Sequence, residues 1–283
     1  ERAIRVIKVF LFSASIVAAG VGGAVAAREP SARVLDFVLA AFGLFIGQAG
    51  GDYLYYYFTH FHTDPRDAHT KIFAGWRPLL VDSWLTPERS LHAGFTCLTV
   101  GALVGLYFTM KLGFAVVPLA LAGGAVAILF TPLMLRGLKE PVIFLTFGPL
   151  SVVGVHFVLA EHFGAAPLLA SLPIGFFVTV VAYLKGAHFE VRSGSNGDLV
   201  LNIRSRRIAV LYVLGYGSLA VAVLGGFLGP WALLGFMALP LAVAVVRRVA
   251  AGSSAVADYL WAVVQSLLVL IVGGGLIALG CLL

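Results

Sequence analysis

QAGGDYLYYYFTHFHTDPRDAHTKIFAGWRPLLVDSWLTPERSLHAGF, Gln48 to Phe95, is the stretch on which the reading of this chain turns. It leaves an apolar run through Tyr53, Tyr55, Tyr56 and Tyr57. It then gathers His60, His62, Asp64, Arg66, Asp67, His69, Lys71 and Arg77, and returns to an apolar run after Pro87. In a chain that is 60% hydrophobic and 11% charged, an insert this polar is either an exposed loop or a site. We read it as a site on the cytoplasmic side of a helical membrane bundle, facing a second polar stretch from Lys185 to Arg207.

The surroundings of that insert fix the fold class. A mean hydropathy of +1.01 over 283 residues is more apolar surface than a soluble core hides, so the bilayer is the solvent. Backbone groups in hydrocarbon must pair internally, and runs of about 20 residues suit helices where barrel strands need only ~10. The hydrophobic runs recur to the C-terminus, which excludes a single signal peptide as their explanation. The expectation is one all-α, polytopic transmembrane domain over residues 1–283. The chain opens on Glu1 without a methionine, from which we expect that N-terminal residues precede it.

Cutting the apolar runs at charged, proline and glycine interruptions predicts nine spans, roughly 4–27, 34–58, 89–110, 113–134, 141–161, 166–188, 207–228, 231–248 and 256–282. Polar cytoplasmic loops then fall at about 59–88 and 189–206. Met110 and Lys111 divide the third span from the fourth, and Gly229-Pro230 the seventh from the eighth, so tight turns are expected there. With the N-terminus in the cytoplasm, 16 of the 19 lysines and arginines lie inside and only Arg28, Arg33 and Lys111 outside. That division obeys the positive-inside rule and places the C-terminus outside. It also explains the net charge of +6 without nucleic acid as a partner.

Positive-inside gives no reason for acids to join the cations, yet seven of the thirteen carboxylates lie in the two cytoplasmic stretches. They are Asp52, Asp64, Asp67, Asp82 and Glu88 in the first, and Glu190 and Asp198 in the second. Mixed charge in two facing loops is the composition that a magnesium-bridged diphosphate requires, with carboxylates for the metal and Arg or Lys for the phosphate oxygens. Two solvated loops whose charges balance would read the same way. Four histidines, His60, His62, His69 and His188, also suit a transition metal or a tetrapyrrole. The aromatic band Tyr53 to Phe61 is read either as an interfacial belt or as the lining of a prenyl channel. His156 is expected to bond a neighbouring helix, Cys97 and Cys281 to be small core residues, and most glycines to be packing positions.

Local sequences add a resemblance. GWRPLLVDSWLTPERSLHAG (Gly75–Gly94), FGPLSVVGVHFVL (Phe147–Leu159) and SLPIGFFVTVVAYLKGAH (Ser171–His188), in this order among nine spans, resemble the UbiA superfamily of intramembrane prenyltransferases. The nearest likeness is to its 1,4-dihydroxy-2-naphthoate polyprenyltransferase branch, of menaquinone biosynthesis. The resemblance implies Mg²⁺ held by two acidic motifs on the diphosphate of a polyprenyl donor. The first, Asn-Asp-x-x-Asp, falls on Gly51, Asp52 and Tyr55, with Asp64 in place of a later aspartate, or in another register on Gln48 and Asp52. The second, Asn-x-x-x-Asp-x-x-x-Asp, falls on Lys185, Phe189 and Ser193.

Two function classes follow. In the first, the chain binds an isoprenoid lipid, a polyprenyl diphosphate or quinone-like molecule, and transfers its prenyl group. Asp52, Asp64 and Glu190 are then the catalytic candidates. Asp52, Asp64, Asp67, Glu190 and Asp198 are the metal candidates, and Gln48, Tyr55, Lys71, Arg77 and Arg192 the substrate contacts. In the second, the eroded acids mark a non-catalytic subunit of a membrane complex that keeps a cavity for a quinone, pigment or lipid. A transporter is less supported, because ionisable residues are nearly absent from span centres.

Overall fold

The computed structural model describes residues 12–62, 86–186, 189–191, 199–201, 203–252 and 256–283. Among these, nine helices run back and forth between two faces. They are α1 (Ser13–Ala26), α2 (Val34–His62), α3 (Pro87–Leu112), α4 (Phe114–Leu135), α5 (Lys139–Ala160), α6 (Ala165–Lys185), α7 (Ser205–Leu224), α8 (Pro230–Ala250) and α9, which is continuous through Val256–Leu268, Val269–Gly273 and Gly274–Leu282. Eight are long and apolar enough to cross a membrane. Between α6 and α7, β1 (Phe189–Val191) and β2 (Leu199–Leu201) pair antiparallel with Glu190 opposite Val200. This short ribbon, inside the expected second loop, is the departure from an all-helical chain.

Helix ends follow local chemistry. At Thr86-Pro87-Glu88-Arg89 the Thr86 side chain accepts the Arg89 N–H at 3.3 Å, and Pro87 occupies a position where no N–H is needed. Glu88 adds a negative charge to the first turn, where the helix dipole favours one. The tight turn expected at Met110-Lys111 lies two residues on. Both residues stay in α3, and the break comes at Gly113, whose φ of +83° is open to glycine at no steric cost. The α7–α8 break falls where expected, with α7 ending at Leu224 and Pro230 opening α8.

Pro149 removes one N–H from α5, and the helix widens through Thr146–Leu150. Ser151 Oγ donates to Thr146 O at 2.6 Å, so a polar group in this widened turn is satisfied inside the helix. Gly148 in the same turn faces Gly175 of α6 so closely that a Cβ would sit 3.0 Å from the Gly175 Cα. This is the small-residue contact by which helices associate where lipid is as apolar as leucine. Gly274 against Val17 and Gly280 against the Trp231 carbonyl do the same at α9. Gly20, Gly123, Gly124 and Gly275 meet no neighbour within 4 Å, so only part of the glycine set packs helices.

Two buried clusters share α1 and α5. One joins them to α6, α7, α8 and α9 around Phe177, Ile174 and Tyr259, and the other joins them to α2, α3 and the start of α4 around Phe108, Val116 and Val155. Large side chains such as Leu103, Leu106, Met110, Leu121 and Leu129 on α3 and α4 are exposed, as lipid-facing positions should be.

Candidate functional site at one face of the bundle

The alternation of the helices brings the ends of α2, α4, α6 and α8 to one face, together with the starts of α3, α5, α7 and α9. Among the described residues this face holds Arg89, Arg136, Lys139, Lys185, Arg204, Arg206, Arg207, Arg247 and Arg248. The opposite face holds Arg28, Arg33 and Lys111. Cross-helix bonds fix both faces. On the opposite face Lys111 pairs with Asp36, and His162 Nε2 lies 3.2 Å from Glu29 Oε1. On the charged face Arg248 pairs with Asp258.

Gln48 and Asp52 stand one turn apart on α2. Gln48 accepts a hydrogen bond from Ser15 Oγ of α1 at 2.5 Å, which ties the approach to the site to the core. Asp52 is exposed on α2 and lies within electrostatic reach of Tyr56, one turn further on, and of Lys185 at the end of α6. Tyr55 turns its ring edge to Phe130 of α4 at 6.0 Å between centroids, so at this level α2 is braced by α4. On its other side Ser90 Oγ of α3 donates to Tyr53 O at 2.8 Å, and Leu54 fills the space beside Gly94.

Several side chains converge on the end of α6. Lys139 Nζ, from the first turn of α5, donates to Ala182 O at 2.8 Å, and Tyr259 Oη of α9 donates to Leu184 O at 2.8 Å. Tyr183 Oη accepts the Arg204 N–H at 3.1 Å, and the Arg207 guanidinium lies 5.9 Å from the Tyr183 ring centroid. Terminal carbonyls of a helix need such partners. Here they come from two other helices, α5 and α9, at Ala182 and Leu184.

Of the residues singled out in the sequence, the structure brings together Gln48, Asp52 and Tyr55 on α2. Glu190 lies on β1, at the same face, with its backbone alone described. Asp64, Asp67, Lys71, Arg77, Arg192 and Asp198 lie outside the described residues, as do His69, His188 and Ser193. His60 and His62 close α2, which runs to His62, four residues past the expected end of the span. The His156 ring packs edge-on against His162 at 5.4 Å, and its Nδ1 has no hydrogen-bond partner among the described residues. Lys139, Ser15 and Tyr259 had no sequence signal as site residues, since each is an ordinary residue in or beside an apolar run.

The metal implied by the resemblance is Mg²⁺. Among the described residues no three His, Cys, Asp or Glu side chains converge to hold an ion. Mg²⁺ needs near-octahedral oxygen ligation, and of the candidate acids only Asp52 has its side chain among the described residues. The described residues by themselves therefore do not complete a Mg²⁺ site.

An apolar groove of about 450 Å³ over Pro230, Trp231, Phe236 and Met237 lies on the first half of α8, which begins at the opposite face and is separate from this site.

Fold and site together define a multi-pass, integral helical membrane protein with a charged site at one face. No family model matches the chain. It is 30% identical over 182 residues to the 1,4-dihydroxy-2-naphthoate octaprenyltransferase of Mycobacterium tuberculosis, an alignment covering 59% of this chain and 60% of that protein. It is 29% identical over 185 residues to the UbiA prenyltransferase domain-containing protein 1 of Xenopus tropicalis, covering 61% of this chain and 50% of that protein. The matched region thus spans less than two thirds of either relative. The likeness to these two proteins covers about three fifths of this chain.

Proposed function

We propose that the chain binds an isoprenoid lipid within its bundle, with the headgroup at the face that carries Asp52 and Lys185 and the tail among the helices, and transfers the prenyl group to an aromatic or other acceptor. The observation that carries this reading is the position of Asp52. It matches an acidic position of the prenyltransferase resemblance and sits on α2 at the face that collects nine cations among the described residues. That face is cytoplasmic by the positive-inside rule, which puts the N-terminus in the cytoplasm and the C-terminus outside.

The groups available suit binding and orientation. Gln48 is held by Ser15, so its amide has a fixed direction. Tyr55 offers an aromatic face near the headgroup, where a ring stabilises positive charge that develops on an allylic carbon. Lys71, Arg77 and Arg192 are proposed phosphate contacts. Asp64, Asp67, Glu190 and Asp198 are the proposed acids that would hold Mg²⁺ in a catalytic form.

A second reading is a non-catalytic subunit of a larger membrane complex that retains the isoprenoid or quinone site. It is favoured by the substitutions at Gly51, Tyr55, Lys185, Phe189 and Ser193, where carboxylates or amides are replaced by groups that hold no metal. One pair of measurements separates the two. Mass spectrometry of lipids extracted from the purified chain tests isoprenoid binding, and its absence removes both readings. Transfer of a labelled prenyl group by the same preparation in Mg²⁺ identifies the enzyme. Bound isoprenoid without transfer, with co-purifying protein chains, identifies the subunit.

A further inference from the structure

We infer that the groove on the first half of α8 is a second, uncharged binding site, which takes a neutral quinone-type lipid and offers its ring carbonyls the hydroxyls of Tyr212 and Tyr216. It lies apart from the charged face and goes beyond the prenyl-transfer reading.

The groove is made by the winding of the backbone. Pro230–Ala238 forms a 3₁₀ helix of nine residues, where runs longer than three or four are uncommon. At three residues per turn, side chains at i and i+3 stand in line. Ala232, Gly235 and Ala238 therefore form one buried row of small residues, pressed on α9 so closely that a Cβ on Gly235 would lie 2.5 Å from Ile277 Cγ1. Pro230, Leu233 and Phe236 form a second row, and Trp231, Leu234 and Met237 a third. The space of about 450 Å³ over these last two rows is the groove. At a 3₁₀ rise of about 2.0 Å per residue it runs for roughly 18 Å, a shape suited to an extended apolar chain.

At Phe236 the groove meets polar groups. The Phe236 ring lies 5.2 Å from that of Tyr216, and Tyr212 stands one turn away on α7 with its ring 6.5 Å from Tyr216. Both tyrosines are 4% exposed, and neither hydroxyl has a hydrogen-bond partner among the described residues. A buried hydroxyl without a partner lowers stability, the more so where no water competes. Two such groups on one helix, behind a ring that lines a groove, are the donors of a site. Phe177 of α6 packs on both rings, 5.0 Å from Tyr216 and 6.1 Å from Tyr212, and is fully buried. The half-buried Phe236 ring is the member free to turn aside as a ligand enters.

Charge and depth select the occupant. No Asp, Glu, Lys, Arg or His lies between Arg207 and Arg247, or after Asp258, so an ionic headgroup would be left unpaired here. Counted from Ser205, Tyr216 lies about 16 Å along α7. That is near the middle of a hydrocarbon core about 30 Å thick, away from the interfacial level of phospholipid headgroups. A quinone-type lipid fits each condition. It has a neutral ring for Trp231 and Phe236, carbonyl acceptors for two phenolic donors, and an apolar tail for the groove.

The test is thermal melting of the full chain in detergent with decylubiquinone, and with decylbenzene, which carries a ring and the same chain but no carbonyl. Ligand is expressed as mole fraction in the micelle. Decylubiquinone should raise the melting temperature saturably, and decylbenzene should not. The amount giving half of the shift should rise about fivefold in Tyr216→Phe and in Tyr212→Phe, the loss of one hydrogen bond each. Without ligand both variants should melt at or above the parent, since the hydroxyl removed has no partner in the protein. No saturable shift, an equal shift with decylbenzene, or a shift unchanged in both variants would overturn the inference. So would variants that melt below the parent without ligand, which would assign the hydroxyls to internal water.

Discussion

Lys111 of α3 closes an ion pair with the buried carboxylate of Asp36 on α2, at the face opposite Asp52, and Tyr107 Oη donates to the same carboxylate at 3.2 Å. The Asp36 side chain is 3% exposed and that of Lys111 25%, so the pair sits at the edge of the hydrocarbon with its acid inside. It holds the outer α3–α4 hairpin to α2 at the end remote from the site.

Removing one member of this pair leaves an uncompensated charge. Lys111→Met should lower stability by about 3 kcal/mol, the low end of the range for breaking a buried pair because Lys111 is partly solvated. The Asp36→Leu, Lys111→Met double variant should lose less than the single, since no buried charge remains. Thermal melting in detergent measures both. A double variant as unstable as Lys111→Met would show that the pair matters by packing alone.

Glu161 ends α5 with φ of +65°, a left-handed conformation held elsewhere among the described residues by Gly113, Gly137, Gly226 and Gly252. A side chain there costs roughly 1–2 kcal/mol against the following carbonyl. Glu161→Gly should raise stability by about 1 kcal/mol, offset in part by the added freedom of the unfolded chain. Glu161→Ala keeps the strain and should show no gain on the same melting curve.

How far these features were legible in the sequence differs by kind. The spans could be read because bilayer thickness imposes a length on every apolar run, and the inequality of the two faces because nine cations mark one of them. The start of α3 could be read from Thr-Pro-Glu, whose capping chemistry is local. The turn at Gly113 was misplaced because Lys111 looks like a boundary by charge, whereas Asp36, far away in sequence, supplies the partner that lets it remain in a helix. The same limit applies at the site. Asp52 stood out as a carboxylate in an apolar run, but the bonds from Lys139 and Tyr259 to α6 depend on helices meeting in space. No spacing encodes them.

Close approach of helices makes a further contrast. A methyl group at Gly280 would collide with the Trp231 carbonyl, a backbone atom that side-chain rotation cannot move. Gly280→Ala should separate α8 from α9 and cost about 2 kcal/mol, as overpacking does. Gly123→Ala, where nothing lies within 4 Å, should be neutral or slightly stabilising through helix propensity. Equal melting of the two variants would mean that the α8–α9 contact yields easily.

His162 supplies a pH dependence at the face opposite the site. Its Nδ1 lies 3.2 Å from Phe163 O and its Nε2 3.2 Å from Glu29 Oε1. The Phe163 carbonyl first, and then the Glu29 carboxylate, raise its pKa above the ordinary 6.5. Because the folded pKa is the higher one, the folded state binds the proton more tightly, and the stabilisation is fully present below pH 6.5 and lost as pH rises through the folded value. Melting curves from acid to mildly alkaline pH should therefore show the clip between the α1–α2 and α5–α6 turns weakening upward through this window. Glu29→Gln should flatten that slope while leaving the Phe163 contribution, and His162→Asn should abolish it. Stability that instead rises with pH in this window, in the parent but not in His162→Asn, would mean that the neighbouring buried His156 ring governs the titration by opposing the charge on His162.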